Sequence, residues 1–371
     1  MEQLMSKPVF DPRLSRPEHP VVRATDVACI VFDRTNLDDV VRFMEDFGFS
    51  RVERTEAKAM FYAKGGFGPA YIAHKSDKNS FRGIGLYVPE REDLEKLSRL
   101  DGASSIEAAD GYPGAYQVRL TDPAGNIVLA INGPKSDMPA IRRSLRQNLD
   151  DDRSRVNEGQ RPPKRPSTIL RLGHLVLTSV DFFKVARWYM DTFGLLPSDV
   201  QTFDDGDPAL VFLRCDCGDT PVDHHTVVVA QYIENGVGHS AYEVIDLDDI
   251  AMGQEHLQSK GWKHAWGVGR HELGSQIFDY WRDPVGIKME HFCDSDRFTS
   301  SQSPGVSELT ISSLYQWGPP TPRDFDAPKP SVGMIYRTLK NLRSSEDLTF
   351  KRLRKLLSVA GQKPRPWVKK H

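Results

Sequence analysis

Apolar positions fall into two long stretches that read alike. In the first, Val22 to Pro134, the run Val27-Ala28-Cys29-Ile30-Val31-Phe32 predicts a buried strand. Val40, Val41, Phe43, Met44 and Phe47 then recur along one side of a helix over Asp38–Phe47, which Gly48 ends. Further strands are expected at Ala59–Tyr62, Gly83–Val88, Tyr116–Leu120 and Ile127–Ile131. The second stretch, Thr168 to Cys293, opens the same way: a strand over Leu172–Thr178, then a helix over Phe182–Phe193 with Phe182, Val185, Ala186, Tyr189 and Phe193 available for packing. Gly194-Leu195 follows that helix as Gly48-Phe49 follows the first. The endings also match, Thr121-Asp122-Pro123-Ala124-Gly125 against Arg282-Asp283-Pro284-Val285-Gly286, each an Asp-Pro turn leading into a last apolar strand. The chain therefore holds an internal repeat.

The repeat sets the domain organisation: 22–134, a linker over 135–167, 168–293, and an extension over 294–371. The linker carries Asp150-Asp151-Asp152 and Arg161-Pro162-Pro163-Lys164-Arg165-Pro166. It has too little apolar material for a core, although Ile141–Leu149 has the pattern of a short surface helix. In the extension, Trp317-Gly318-Pro319-Pro320 and Ala327-Pro328-Lys329-Pro330 predict an extended segment crossing the surface. Leu348–Leu357 predicts a basic amphipathic helix, solvated or docked.

Composition changes this picture little. The 371 residues are 39% hydrophobic and 27% charged with a net charge of −2, which gives no general reason for a nucleic-acid or membrane partner. Charge is uneven, however: from Lys340 to His371 there are ten Lys or Arg against Glu346 and Asp347. Cys29, Cys215, Cys217 and Cys293 are too scattered for a disulfide framework, so the expectation is reduced thiols in a cytoplasmic protein. Met1–Arg13 has no apolar core of a signal peptide, and no run is long enough to span a bilayer.

Chemistry concentrates in the second stretch. His174 lies in the strand Leu172–Thr178, on one face with Leu172 and Val176; His239 follows Gly238 at the start of Ser240–Val244; Glu290 lies in Ile287-Lys288-Met289-Glu290-His291-Phe292. A strand histidine alone is usually a packed or surface group. A carboxylate in an apolar strand needs a cation, a metal or solvent. Two histidines and one carboxylate, one per strand, can form a facial triad with open positions, which suits non-haem Fe(II) oxygen chemistry. In the first copy Asp26 falls opposite His174, Gly83 opposite His239 and Leu129 opposite Glu290, so that copy cannot hold a metal in the same way.

The string Gly269-Arg270-His271, Tyr280, Asp283-Pro284, Gly286, Glu290 resembles the end signature of the type I extradiol ring-cleaving dioxygenases of the vicinal oxygen chelate superfamily. The resemblance spans Val22 to Cys293. It implies an α+β fold of tandem βαβββ modules, in two domains that are each an open barrel-like mixed sheet with flanking helices. By likeness, His174, His239 and Glu290 match the iron ligands and His225 matches the catalytic acid–base histidine. His271 and Tyr280 match the pair that contacts the substrate oxygens. The implied cofactor is Fe(II), with Mn(II) able to occupy the same set. The implied reaction is meta cleavage of a substituted catechol by O₂ to a muconic-semialdehyde-type product, in a homo-oligomer with no nucleic-acid or membrane partner.

His224, His264 and His291 have no family role and are read as structural, and His256 as an exposed helix residue. Asp279, where the family has an apolar residue, must point away from the metal if Tyr280 points in. Residues near Trp266, Val268 and Phe278 and a loop over 196–210 are expected to line the substrate pocket. Two rivals stand beside this reading. One is a lyase or isomerase like glyoxalase I, which would usually use a second Glu from the paired module. The other is a non-catalytic binding protein like the bleomycin-resistance members.

Overall fold

The computed structural model describes residues 9–134, 147–148, 151, 153–326 and 331–363. The helix expected at Ile141–Leu149 lies outside these residues except for two positions. The N-terminal domain runs β1 (Asp26–Arg34), α1 (Leu37–Phe47), β2 (Arg51–Arg54), β3 (Lys58–Tyr62), β4 (Tyr71–Lys75), then β5 (Ser80–Tyr87), α2 (Arg91–Leu97), β6 (Glu107–Ala108), β7 (Tyr116–Thr121) and β8 (Ile127–Asn132). The C-terminal domain repeats this with β9 (Arg171–Ser179), α3 (Phe182–Phe193), β10 (Leu196–Thr202), β11 (Pro208–Arg214), the short β12 (Val222–Asp223) and β13 (Val227–Gln231). Its second half is β14 (Gly236–Glu243), α4 (Leu247–Ser259), β15 (Lys263–Arg270), β16 (Ile277–Arg282) and β17 (Lys288–Cys293). The extension adds β18 (Arg297–Phe298), β19 (Gly305–Glu308), α5 (Val332–Ser344) and α6 (Phe350–Ala360).

Strand order is β2-β3-β4-β1-β5-β8-β7-β6 in one sheet and β15-β16-β17-β14-β9-β13-β11-β10-β19 in the other. Each domain is thus two βαβββ units joined through an antiparallel central pair, β1 with β5 and β9 with β14, and each sheet curls into a half-barrel with helices outside. Local chemistry fixes the helices. Asn36 accepts from the amides of Asp38 and Asp39 at the start of α1, and Gly48 closes it at φ 115°, a conformation that favours glycine. The α1 side chains Val40, Phe43, Met44 and Phe47 enter the continuous core, with Phe182, Val185, Tyr189 and Phe193 of α3.

Register corrects two sequence expectations. On β9, His174 pairs with Ala241 but Leu172 pairs with Tyr242, so Gly173 is the extra residue of a bulge. Leu172 therefore shares the face of Tyr242 rather than that of His174. The same bulge occurs in β1, where Cys29 pairs with Gly85 and Val27 with Leu86. The residue opposite His174 in the first copy is accordingly Cys29, not Asp26. Leu129, which pairs with Gly85, keeps its predicted place opposite Glu290, which pairs with Ala241.

The repeated Asp-Pro turns join the domains reciprocally. Asp122 and Asp283 each accept from two amides of their own turn with Oδ1. With Oδ2 each reaches the other domain: Asp122 accepts from the Tyr189 hydroxyl at 3.1 Å, and Asp283 pairs with the Arg34 guanidinium at 2.9 Å. Around them, Phe43 meets Trp262 edge-on, Phe47 stacks on His291 at 3.8 Å, and His256, expected to be exposed, lies 2.9 Å from Asp46.

The extension is part of this body. β19 adds to the edge of the C-terminal sheet in parallel with β10, pairing Gly305 with Asp199. A Cβ at Gly305 would lie 2.0 Å from Asp199 Oδ1, so the glycine permits this approach. The 196–210 region, expected as a loop, is the β10–β11 hairpin, strand over 196–202 and from 208 with a turn between. Among the described residues no helix is long and apolar enough to cross a membrane.

Candidate metal centre

The inner face of the C-terminal half-barrel carries one row of cross-strand partners: His174 on β9, Ala241 on β14, Glu290 on β17, Tyr280 on β16 and Trp266 on β15. His239 stands two residues before Ala241 on the same face. Neighbours on one face of a sheet lie close enough to touch. Ala241 is small, so His174 and Glu290 converge above it from either side. His174 Nε2 lies 3.4 Å and His239 Nε2 3.3 Å from Glu290 Oε2. Ligand atoms of these three residues all fall within 4.8 Å of one another. Gly173 and Gly238, each the extra residue of a bulge, immediately precede the two histidines and re-aim them inward.

The electrostatics suit a cation. Glu290 is fully buried, and both its carboxylate oxygens, like His239 Nε2, have no hydrogen-bond partner among the described residues. A buried carboxylate without partners is unfavourable unless a positive charge compensates. Burial opposes its ionisation, yet contacts from His174, His239 and His271 outweigh that and hold Glu290 well below the usual carboxylate range. Burial drives His239 the other way, to about 4, despite the nearby carboxylate. A charged carboxylate beside a neutral imidazole is the protonation state that binds metal. Two imidazole nitrogens and a carboxylate oxygen are the donor set of a non-haem Fe(II) facial site. The residues present therefore fit such an ion.

Three further side chains named from sequence gather round this set. The His225 ring lies 4.1 Å from that of His174, and burial, then the neighbouring His174 and His224, push its pKa well below the usual histidine value. Tyr280 packs 5.1 Å from the His239 ring and stacks on Trp266. His271 Nε2 lies 2.9 Å from the Tyr280 hydroxyl and 3.5 Å from Glu290 Oε1. The His271 tautomer follows from its other nitrogen. Nδ1 lies 2.7 Å from the Leu314 carbonyl, which can only accept, so Nδ1 carries a proton and the ring is fixed with Nε2 toward Tyr280 and Glu290. Phe325 closes this side, edge-on to both Tyr280 and Trp266 at 5.0 Å. Asp279 turns away as alternation requires, accepting from Trp281 and Gln254 and lying 2.7 Å from His264.

Sequence reading missed three contributors. His224, read as structural, is buried with Nε2 2.7 Å from Asp199 Oδ2 and Nδ1 2.9 Å from His225 Nδ1. Asp199 accepts, so His224 holds its proton on Nε2 and receives the Nδ1 proton of His225. The opposite edge of the His225 ring is left with an unprotonated Nε2. The adjacent His224-His225 pair was the available signal. Gln276, buried 3.5 Å from His174 Nδ1, and the Leu314 carbonyl gave none, because a backbone acceptor has no residue identity and Gln276 is distant in sequence.

Residues 171–291 match the family model described as Glyoxalase/Bleomycin resistance protein/Dioxygenase superfamily. The chain is 26% identical over 314 residues to metapyrocatechase 2 of Cupriavidus necator, covering 84% of this chain and 93% of that protein. It is 30% identical over 172 residues to an iron-dependent extradiol dioxygenase of Rhodococcus jostii strain RHA1, covering 44% of this chain and 52% of that one. Homoprotocatechuate 2,3-dioxygenase from Arthrobacter globiformis superposes with a TM-score of 0.69 at 14% identity, covering 86% of this chain and 95% of its own. At that identity the superposition speaks for the fold.

Proposed function

We propose that this chain, whose residues 171–291 form a domain of the Glyoxalase/Bleomycin resistance protein/Dioxygenase superfamily, is an extradiol dioxygenase that opens the ring of a substituted catechol with O₂. The observation that carries the reading is the buried Glu290 carboxylate, without hydrogen-bond partners, facing two histidines beneath a cluster of His225, His271 and Tyr280. His174, His239 and Glu290 would hold Fe(II), or Mn(II) in its place. When bound, the ion supplies electron transfer between the diol and O₂, which otherwise react slowly because O₂ is a ground-state triplet.

The protein's own part is binding, orientation and proton movement. Tyr280 and His271 would contact the diol oxygens, with the Leu314 carbonyl fixing the proton on His271 Nδ1. His225 is the acid–base group: its Nε2 is unprotonated while Nδ1 donates to His224, so it can take a proton from the bound diol and return it when the oxygen–oxygen bond breaks. Trp266, Phe278, Tyr315 and Phe325 form a largely buried apolar cluster beside the site, which excludes water and favours an aromatic substrate. The N-terminal domain, with Cys29, Gly83 and Leu129 where the other has its metal set, serves as a structural partner. The assembled enzyme is a homo-oligomer.

The test is to purify the protein anaerobically, load Fe(II), and follow O₂ uptake and visible absorbance with a panel of substituted catechols. Stoichiometric uptake with a yellow ring-fission product is expected. No uptake by protein with iron confirmed bound counts against the proposal, and turnover of methylglyoxal with glutathione would replace it with the lyase reading. Among the described residues the converging ligand set holds a single Glu, and that chemistry gives His225 no task.

A further inference from the structure

The far wall of the C-terminal half-barrel carries polar groups that ring cleavage does not use. Val200 of β10 and Val211 of β11 enter the core with α3, so Asp199, Gln201 and Leu210 beside them face the hollow. Register lines up Thr178, Ala230, Leu210, Gln201 and Ser307 across β9, β13, β11, β10 and β19. Gln201 is 1% exposed, and its Nε2 lies 3.2 Å from Ser313 Oγ. The Ser313 hydroxyl gives its own proton to the Thr310 carbonyl at 2.9 Å, so toward Gln201 it accepts. That fixes the amide with Oε1 on the other side. Among the described residues Gln201 Oε1 has no hydrogen-bond partner, and neither does the buried Ser307 Oγ of its cross-strand neighbour. Two such atoms at paired positions are costly unless something else satisfies them.

Their place is tied to the metal centre from two directions. Two residues before Gln201, Asp199 accepts from His224, which supports His225. One residue after Ser313, the Leu314 carbonyl holds His271. Gln201 thus stands between the groups that orient the acid–base histidine and those that orient the diol-contacting pair. We propose that Gln201 and Ser307 form a specificity subsite for a hydroxyl group on the substituent of the diol. The inference narrows the substrate of the preceding section and rests on that reading. A hydroxyl can donate to Gln201 Oε1 and accept from Ser307 Oγ, whereas an alkyl end can do neither. A carboxylate has no proton for Oε1 and would meet Asp199 on the same face. Two strand residues, roughly 7 Å, separate Gln201 from Asp199, which puts the hydroxyl out on a side chain of the ring. The half-buried Thr178, Ala230 and Leu210, small or apolar, flank its path.

The experiment uses the Fe(II)-loaded full-length protein and 3- and 4-substituted catechols in three series of matched length, ending in hydroxyl, methyl or carboxylate. Binding is measured anaerobically by calorimetry, and turnover separately by O₂ uptake. The hydroxyl series should exceed the methyl series about ten- to a hundredfold in both affinity and kcat/KM. That ratio should collapse toward one in Gln201→Met and fall in Ser307→Ala, with fold and iron content checked by circular dichroism and metal analysis. Ser307→Ala removes one oxygen that bonds nothing among the described residues, so it carries the test alone if Gln201→Met loses iron. Variants that weaken the hydroxyl and methyl series equally would make the two residues mere props and overturn the subsite. A natural protein that prefers the methyl or carboxylate series overturns it too. Hydroxyl-selective binding without O₂ uptake keeps the subsite and overturns ring cleavage, whereas ring cleavage without selectivity does the reverse. Failure to bind any diol overturns both.

Discussion

At the scale of single residues, the site separates groups that would hold metal from groups that would move protons. His225 touches His174 but is not one of the three converging ligands. His225→Ala is expected to retain iron while kcat falls by about 10²–10⁴, the usual range for an acid–base group. Iron content and single-turnover ring cleavage check this, and full turnover would remove His225 from the reaction. His224 is a positioning residue, and its two nitrogens allow a sharper test. His224→Asn can keep an acceptor near Nδ1 for His225, whereas His224→Gln keeps a group near Asp199 and loses that acceptor. The Gln variant should lose roughly ten- to a hundredfold in kcat, as when the partner that orients a site residue is removed. The Asn variant should lose less, with KM unchanged in both. Equal losses would mean that His224 only fills space.

At the scale of elements, the site depends on which strand positions are left small. Ala241 lies between His174 and Glu290 in the cross-strand row and is fully buried, so nothing larger than a methyl group stands where their ligand atoms meet. Ala241→Leu is expected to abolish iron binding, measured by metal analysis after loading, while the sheet still forms. Iron retained at full stoichiometry would put the convergence elsewhere. Much of this level was legible in the sequence, because strands and helices follow from apolar spacing and the His, His, Glu and Tyr positions from the motif. The rest depended on register. The bulge at Gly173 puts Leu172 on the other face from His174, and only the strand pairing shows that Cys29, three residues beyond Asp26, is the counterpart of His174. The extension was opaque for a different reason. Gly305-Val306-Ser307-Glu308 has little strand character of its own and is strand only because β10 offers an open edge.

At the scale of the whole molecule, the junction between domains includes an ion pair with both side chains almost wholly removed from solvent, Arg34 with Asp283. Burial pushes the Asp283 carboxyl above the usual range, and Arg34 pulls it back. Arg34→Leu leaves that carboxylate buried and unpaired and should destabilise the protein by about 3–5 kcal/mol at neutral pH. The deficit has a defined sign with pH. A protonated Asp283 needs no cation, so the loss should shrink as pH falls toward the unfolded carboxyl pKa of about 3.9, where both states bind the proton. Urea titrations at several pH values measure this, and a deficit that grows in acid would contradict it. Asp122 performs the matching task from the other side, accepting from Tyr189 while bracing its own turn. The two halves therefore share a fastener but not a site: the first barrel works without a metal set, yet its Asp-Pro turn is half of the clasp that keeps the other barrel in place.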